Sequence, residues 1–569
     1  MSSKHKKIST NSPKQNFNWI ALALILLFTA IVFSSSIKGD WLYNWDDNLY
    51  ILNSPNVFDF SIKGIFSEYE VDNYHPLTTL SYAIQYKFGG LNAASFHLWN
   101  LIIHLLNVFL VYRLFFLLVN NWKVSAITAL LFAVHPMRVE SVAWISERKD
   151  VLYVFFYLWS IVNYVLYKLR EKKKYLAYCL LLFLCSLLSK SAAVSLSVML
   201  LVVDYFIDKK INAKAIVDKW PFFVLSLVFG IVAIHSQGLS GAIRVAPEFS
   251  LLDRFFITNY NLGFYLFKYF IPTDLSVIYL YPQKIDGWLP WFFYASPVVL
   301  MLFALLSYWF KTSRSVLLFS FGFYLVGLML VLQLIPVGRA ITADRYSYLP
   351  HIGISFLIGI VYVRLEELFK KNKPIIPKLY LYSLVLFAIA CMWLTTKQVK
   401  VWQDSLTVTT NAIEQNEGNY LYKDFIYASR GVAKDKLEDY ASAILDYDKS
   451  LEYNPTYYQV YYNRALDKEK IKDLSGALAD YSKAVEVNPS YAKAYFSRGT
   501  LKINTSDLAG AIQDFDLAIK YDANMIEAYN NRGGAKYMNN QKEEGCNDWK
   551  IAAAKGFKNS QENIVKYCK

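Results

Sequence analysis

The sequence predicts an all-α protein in two parts, a polytopic membrane domain of about eleven helical spans followed by a soluble α-solenoid. Three observations carry this. The 569 residues are 55% hydrophobic and 17% aromatic but only 18% charged, too apolar for an ordinary soluble enzyme. Apolar runs recur between residues 19 and 396, many of them near the length that spans a bilayer. Beyond residue 396 the chain turns polar and Tyr-rich, and a strict 34-residue period sets in.

The first run, Trp19 to Ile37, follows the basic tail MSSKHKK. At 1.5 Å per residue it is long enough to cross roughly 30 Å of hydrocarbon, and it exceeds the ~7–15-residue core of a signal peptide, so it reads as an uncleaved anchor. Ten more runs follow, at 97–119, 124–136, 150–168, 175–188, 191–207, 220–236, 291–310, 315–336, 350–368 and 379–396. Basic segments lie at the N-terminus, 120–123, 169–174, 208–219, 311–314 and 370–378. All six share one side if there are eleven spans and 255–272 lies in the interface or re-enters. The expected organisation is then a cytoplasmic basic tail (1–17), a membrane domain (18–396), a connector (397–419) and an extracytoplasmic repeat domain (420–569). The formal charge of +14 reads as membrane orientation and gives no reason to invoke nucleic acid.

In the C-terminal part Arg430, Arg464, Arg498 and Arg532 are 34 residues apart, as are Tyr427, Tyr461, Tyr495 and Tyr529, and Asp446, Asp480, Asp514 and Asp548. An aromatic follows each Asp: Tyr447, Tyr481, Phe515 and Trp549. With helical spacing inside each unit and Asn-Pro at 454–455 and 488–489, these are about four tetratricopeptide repeats, stacked pairs of antiparallel helices. The periodic Arg and Tyr are expected to pack and ion-pair within repeats. Cys546 and Cys568 lie in this part, where an oxidising compartment would let a disulfide hold the chain end, whereas Cys179, Cys185 and Cys391 sit in apolar runs as small hydrophobes.

Sorting the polar residues by predicted side gives a division of charge. The first outer loop, 38–96, holds Asp46, Asp47, Glu68, Glu70, Asp72 and His75. Later outer segments hold His135, Arg138, Glu140, Arg148, Lys149 and Asp150, then Lys190, then Arg244 and Arg254, and finally Arg339, Asp344, Arg345 and Tyr346. A carboxylate can take a proton from an attacking hydroxyl while Arg and Lys hold a phosphate leaving group, so a lipid-linked phosphate is the substrate this pattern fits. Each feature also has a structural reading. Asp46 and Asp47 can cap a short loop helix, His97 and His104 can hydrogen-bond to neighbouring helices, His135-Pro136 can end a span, and Arg148 and Lys149 can anchor at the interface.

The stretches YNWDDNLYILNSPNV, HPLTTLSYAI, FHLWNLIIHLLN, LLFAVHPMRVESVAWISERKDVLYVFFYL, SLLSKSAAV and DRYSYLP, followed by the repeats, resemble the transmembrane and tetratricopeptide-repeat-containing O-mannosyltransferase family, a group of class C glycosyltransferases. The resemblance implies transfer of mannose or a similar hexose from a polyprenyl-phosphate carrier to an acceptor outside the cytoplasm. It implies that Asp46 or Asp47 is the general base, Asp46 being preferred, and that Arg148, Lys190 and Arg345 bind the carrier phosphate. His75, Glu140 and Arg138 would position sugar or acceptor. Two departures stand out: Ser191 replaces an acidic residue common in the family after the lysine, and His75-Pro76 stands where Arg-Pro is expected.

The expected reaction is an inverting displacement with no covalent intermediate and no cofactor. The adjacent aspartates leave a divalent cation open, although the mainly cationic outer motifs favour metal independence. The repeats are expected to recruit a protein or glycan acceptor. The Lys, Asn and Tyr content suits a bacterial inner membrane, with a periplasmic repeat domain and undecaprenyl phosphate as carrier. A non-enzymatic membrane-anchored repeat scaffold would need only one span, and a transporter of lipid-linked glycans predicts charges near the midplane and internal symmetry.

Overall fold

A computed structural model describes residues 16–568 apart from 44, 71–72, 240–248, 310–313, 335–337, 370–372 and 419. Asp72, Arg244 and most of the basic tail lie outside the described residues. The chain forms two units, Met1–Leu421 and Tyr422–Lys569.

In the first unit each of the eleven apolar runs contains a helix, because a helix satisfies the backbone groups of an apolar run internally, even across the interior Pro297. Among the described residues five elements, Trp19–Lys38, Ala93–Val119, Ile145–Arg170, Ser191–Asp208 and Ile375–Val401, are long and apolar enough to cross a membrane, six if one bent pair is counted as a single span. Trp220–Ser236, Trp291–Met301 and Arg314–Leu328 are shorter apolar helices. The segment expected to lie in the interface or re-enter, 255–272, falls mostly in a continuous helix, Leu251–Phe270, started by a Ser250/Asp253 capping box.

The bent pair is Trp122–Ala133 and Pro136–Ala143, which meet at 64°. Its cause is local. Proline excludes the α conformation at the preceding residue, and His135 is extended (φ −72°, ψ 131°). Its Nδ1 accepts from the Met137 N–H at 3.3 Å, and its Nε2 lies 3.0 Å from the Tyr269 carbonyl. His135 therefore ends one helix and launches the next. Inside the bundle His104 links helices as expected, with Nδ1 2.6 Å from the Tyr348 hydroxyl and Nε2 3.1 Å from the Ala133 carbonyl.

One small element was absent from the all-α expectation. Tyr279–Leu280 pairs antiparallel with Ala340–Thr342, Tyr279 opposite Thr342 and Leu280 opposite Ala340. The stretch read as a connector is likewise folded. Trp402 stacks on Trp144 with ring centroids 5.3 Å apart, and helix Ser405–Glu414 is tied to the 275–280 segment by Asn411 and Asn416, whose side-chain oxygens accept from the Val277 and Leu280 N–H groups.

The second unit contains four antiparallel helix pairs and a terminal helix, Lys558–Tyr567. The second helix of the first three pairs is capped at the same repeat position, by Asp439, Asp473 and Asp507. The periodic Arg and Asp form one ion pair per repeat: Arg430–Asp446, Arg464–Asp480, Arg498–Asp514 and Arg532–Asp548, each with two hydrogen bonds. A lysine four residues after each arginine joins the same aspartate. Cys546 and Cys568 are disulfide-bonded, with Cα atoms 5.7 Å apart.

Candidate functional site

The first loop, the 135–150 segment, Lys190 and the 344–345 turn meet at one end of the helices. Asp46 and Asp47 divide there. Asp47 is fully buried, one carboxylate oxygen accepting from the Leu42 N–H at 3.0 Å and the other from the Ser146 N–H at 2.9 Å. Burial pushes its carboxyl up to about 6 despite those donors. Its hydrogen bonds tie the loop to the turn before helix Arg148–Arg170. Asp46 faces the other way, is 37% exposed, and pairs with Lys149 at 3.1 Å.

Lys149 opens a wider network. Its ammonium also lies 3.2 Å from Glu147 and 4.6 Å from the centre of the Tyr50 ring. Arg345 reaches the same Glu147 oxygen at 3.5 Å, and Lys190 reaches the other at 3.5 Å. Each cation has a second carboxylate: Asp46 for Lys149, Asp150 for Lys190, and Glu140 for Arg345. Glu140 also accepts from the Arg345 backbone N–H at 2.8 Å, which the bend at His135-Pro136 makes possible by carrying Glu140 beneath the turn. The β-ribbon holds the turn from the opposite side. The Tyr279 hydroxyl donates to Asp344 at 2.9 Å, and burial, reinforced by Glu140, raises the Asp344 carboxyl well above its ordinary range.

Of the remaining sequence-predicted residues, Arg148 and Arg138 point away from this cation cluster, and His75 borders it. Arg148 is buried, with Nε donating to Asn100 at 2.9 Å, Nη2 to the Phe96 carbonyl at 3.1 Å, and the guanidinium 4.6 Å from the centre of the Tyr82 ring. Successive helical residues are rotated by about 100°, so Arg148 and Lys149 cannot face the same way. Arg138 points to Ser347 (3.1 Å) and His351 (2.7 Å). His75 lies against Tyr50 with centroids 4.9 Å apart, and burial, with Lys149 and Lys190 nearby, pushes its imidazole down to about 3. A neutral ring lends no positive charge to a phosphate.

Glu147, Lys149 and Asp150 belong to the network although the resemblance assigns them no role. The available signal was an ionisable cluster, Glu147-Arg148-Lys149-Asp150, at the start of an apolar helix, where unpaired charge is costly. Among the described residues no three His, Cys, Asp or Glu side chains group as metal ligands.

A tetratricopeptide-repeat family model matches residues 426–457. The mouse protein O-mannosyl-transferase TMTC1 is 28% identical over 245 residues, covering 39% of this chain and 24% of that protein. The Caenorhabditis elegans protein O-mannosyl-transferase F38B6.6 is 24% identical over 455 residues, 74% of this chain and 62% of the relative. Human TMTC4, also named a protein O-mannosyl-transferase, is 29% identical over 230 residues, 34% and 31% of the two chains. This chain thus spans less than two thirds of the length of these relatives. A crystal structure of MamA matches at 18% identity and a TM-score of 0.25, covering 28% of this chain and 84% of that one. Over part of its length the chain is thus similar to relatives named protein O-mannosyl-transferases, and it carries a tetratricopeptide repeat.

Proposed function

We propose that the protein is a membrane glycosyltransferase that moves mannose or a similar hexose from a polyprenyl-phosphate donor to a hydroxyl of an extracytoplasmic protein or glycan. The observation that carries this is that Asp46, the exposed member of the aspartate pair, is paired with Lys149, whose other partner Glu147 also meets Lys190 and Arg345.

In this reading Asp46 takes the proton of the acceptor hydroxyl as its oxygen attacks the anomeric carbon. The bond from that carbon to the phosphate oxygen breaks, and the electron pair leaves with the polyprenyl phosphate. Lys149, Lys190 and Arg345 stabilise the charge that develops there. The anomeric configuration inverts, and no covalent intermediate forms. Glu140 holds Arg345 in place, while Asp47 fixes the loop that carries Asp46. Asp46, Glu140, Glu147 and Asp150 each already neutralise a cation, which supports a metal-independent reaction.

The proposed topology puts this cluster and the repeats outside the cytoplasm, in the periplasm of a bacterium, with undecaprenyl phosphate as carrier. Separation along one helix supports placing the two charged clusters at opposite ends of a span. Lys149 and Lys168 begin and end helix Arg148–Arg170, about 28 Å apart at 1.5 Å per residue, and Lys168 pairs with Asp208 in a second cluster at that far end. The repeats would recruit the acceptor. Purified protein given a panel of polyprenyl-phosphate sugars, with and without excess chelator, tests the reading. Release of polyprenyl phosphate coupled to acceptor glycosylation supports it, and no release with any donor refutes it.

A further inference from the structure

Glu147 is 1% exposed, whereas the side chains of Lys190 and Arg345 are 21% and 20% exposed. The carboxylate is therefore the floor of the cluster, with Lys149 buried beside it at 10% side-chain exposure and Lys190 and Arg345 partly open to the outside. The Glu147 Oε2 has no hydrogen-bond partner and is met by Lys190 at ion-pair distance, 3.5 Å, so the three cations, and not a set of short hydrogen bonds, offset the cost of burying this charge.

The pairings have a hierarchy. Lys149, Lys190 and Arg345 each have a private carboxylate, Asp46 from the first loop and Asp150 and Glu140 from the 135–150 segment respectively. Among the described residues Glu147 is the carboxylate all three share. Three cations on one carboxylate are separated by no more than two contact lengths and the width of that carboxylate. That is the scale on which the oxygens of one phosphate can be met from several directions. Without the shared anchor each cation would fall back to its private partner, and the array would divide.

We propose that Glu147 is a positioning residue that gathers Lys149, Lys190 and Arg345 into a single phosphate-binding array. The inference rests on the glycosyl-transfer reading for the identity of the lipid donor, but phosphate binding can be measured without transfer. Glu147 acts through the cations and does not touch the donor. Its charge matters in two ways: it fixes the spacing of the array, and it keeps Lys149 from being held by Asp46 alone.

The test uses full-length protein in detergent and undecaprenyl phosphate as the probe, with inorganic phosphate as competitor. Glu147→Gln is expected to weaken binding of the lipid phosphate by about tenfold to a hundredfold, in line with loss of charge-assisted organisation. Glu147→Asp keeps the charge and is expected to stay within about fivefold of wild type. Where a donor sugar supports turnover, Glu147→Gln should raise the donor KM and leave the acceptor KM unchanged, which a general loss of folding would not do. Competition by inorganic phosphate at similar concentration would show that the array reads the phosphate group itself, and its failure to compete would show that the lipid is needed to present it. Either result keeps the array. Unchanged or tighter binding in a folded Glu147→Gln protein, equal weakening by the Asp variant, or no binding by wild type overturns the inference. Glu147-dependent binding without transfer from any donor leaves the inference standing and overturns the transferase reading instead.

Discussion

Asp46 and Lys149 form an ion pair at 3.1 Å across 103 residues of sequence, joining the first loop to the start of helix Arg148–Arg170. Asp47, the next residue, faces inward and accepts two backbone N–H bonds instead. Two neighbouring carboxylates thus have different tasks, and substitution separates them.

Asp46→Asn is expected to lower transfer about a hundredfold to ten-thousandfold while leaving expression and thermal unfolding near wild type, because it removes a positioned base from a partly exposed site. Asp47→Asn should instead lower stability by about 1–3 kcal/mol, since a buried acceptor of two N–H bonds loses its second acceptor oxygen. Parallel activity and melting measurements check both. Equal activity loss without a stability difference would remove the distinction.

Lys149→Met and Arg148→Met should differ in kind. The first removes one cation from the cluster and is expected to weaken donor binding about tenfold or more with the fold intact. The second leaves Asn100 and the Phe96 carbonyl without their donor inside the bundle and is expected to cost about 3 kcal/mol of stability. Detergent-solubilised melting curves together with donor titrations would show whether the two effects exchange places.

The repeat unit carries a pH-dependent weakness. Asp467 is buried at the repeat position occupied by Ala433, Leu501 and Ala535, and one of its oxygens has no hydrogen-bond partner. Burial, and then the neighbouring Asp435, push its carboxyl up to about 8. The folded state therefore holds a proton that the unfolded chain releases above its ordinary carboxylate range. Stability falls as pH rises from about 4 to about 8, at up to about 1.4 kcal/mol per pH unit for one proton, and the penalty is complete above that window. Asp467→Ala should raise the melting temperature at pH 8 and lose most of that advantage by pH 5. Melting of wild type and variant across this range is the check, and an advantage that does not shrink on acidification would be against it.

The Cys546–Cys568 bond closes a loop of 22 residues over the last helices. Reducing it, or replacing Cys546 with Ser, is expected to lower the stability of the repeat unit by about 2–3 kcal/mol. The effect should appear as early proteolysis near the C-terminus, and identical protease resistance with and without reductant would contradict it.

Much of this molecule is written in local pattern. The apolar runs define the bundle helices because a backbone in hydrocarbon must bond within its own segment. The 34-residue period places Arg430 and its counterparts beside their aspartates because each repeat solves the same packing problem. Even the bend at His135-Pro136 follows from one proline.

Which ionisable side chains meet was settled elsewhere. Arg148 and Lys149 are adjacent in sequence and were not separable there, yet helical rotation sends one to Asn100 and the other to Asp46. Lys190 and Arg345 come together on Glu147 although they lie 43 and 198 positions away from it. Local pattern determined the helices, the repeats and the segments rich in charge. Only the tertiary structure decided which charges share a carboxylate, because distance across a packed bundle is not a property of any one segment.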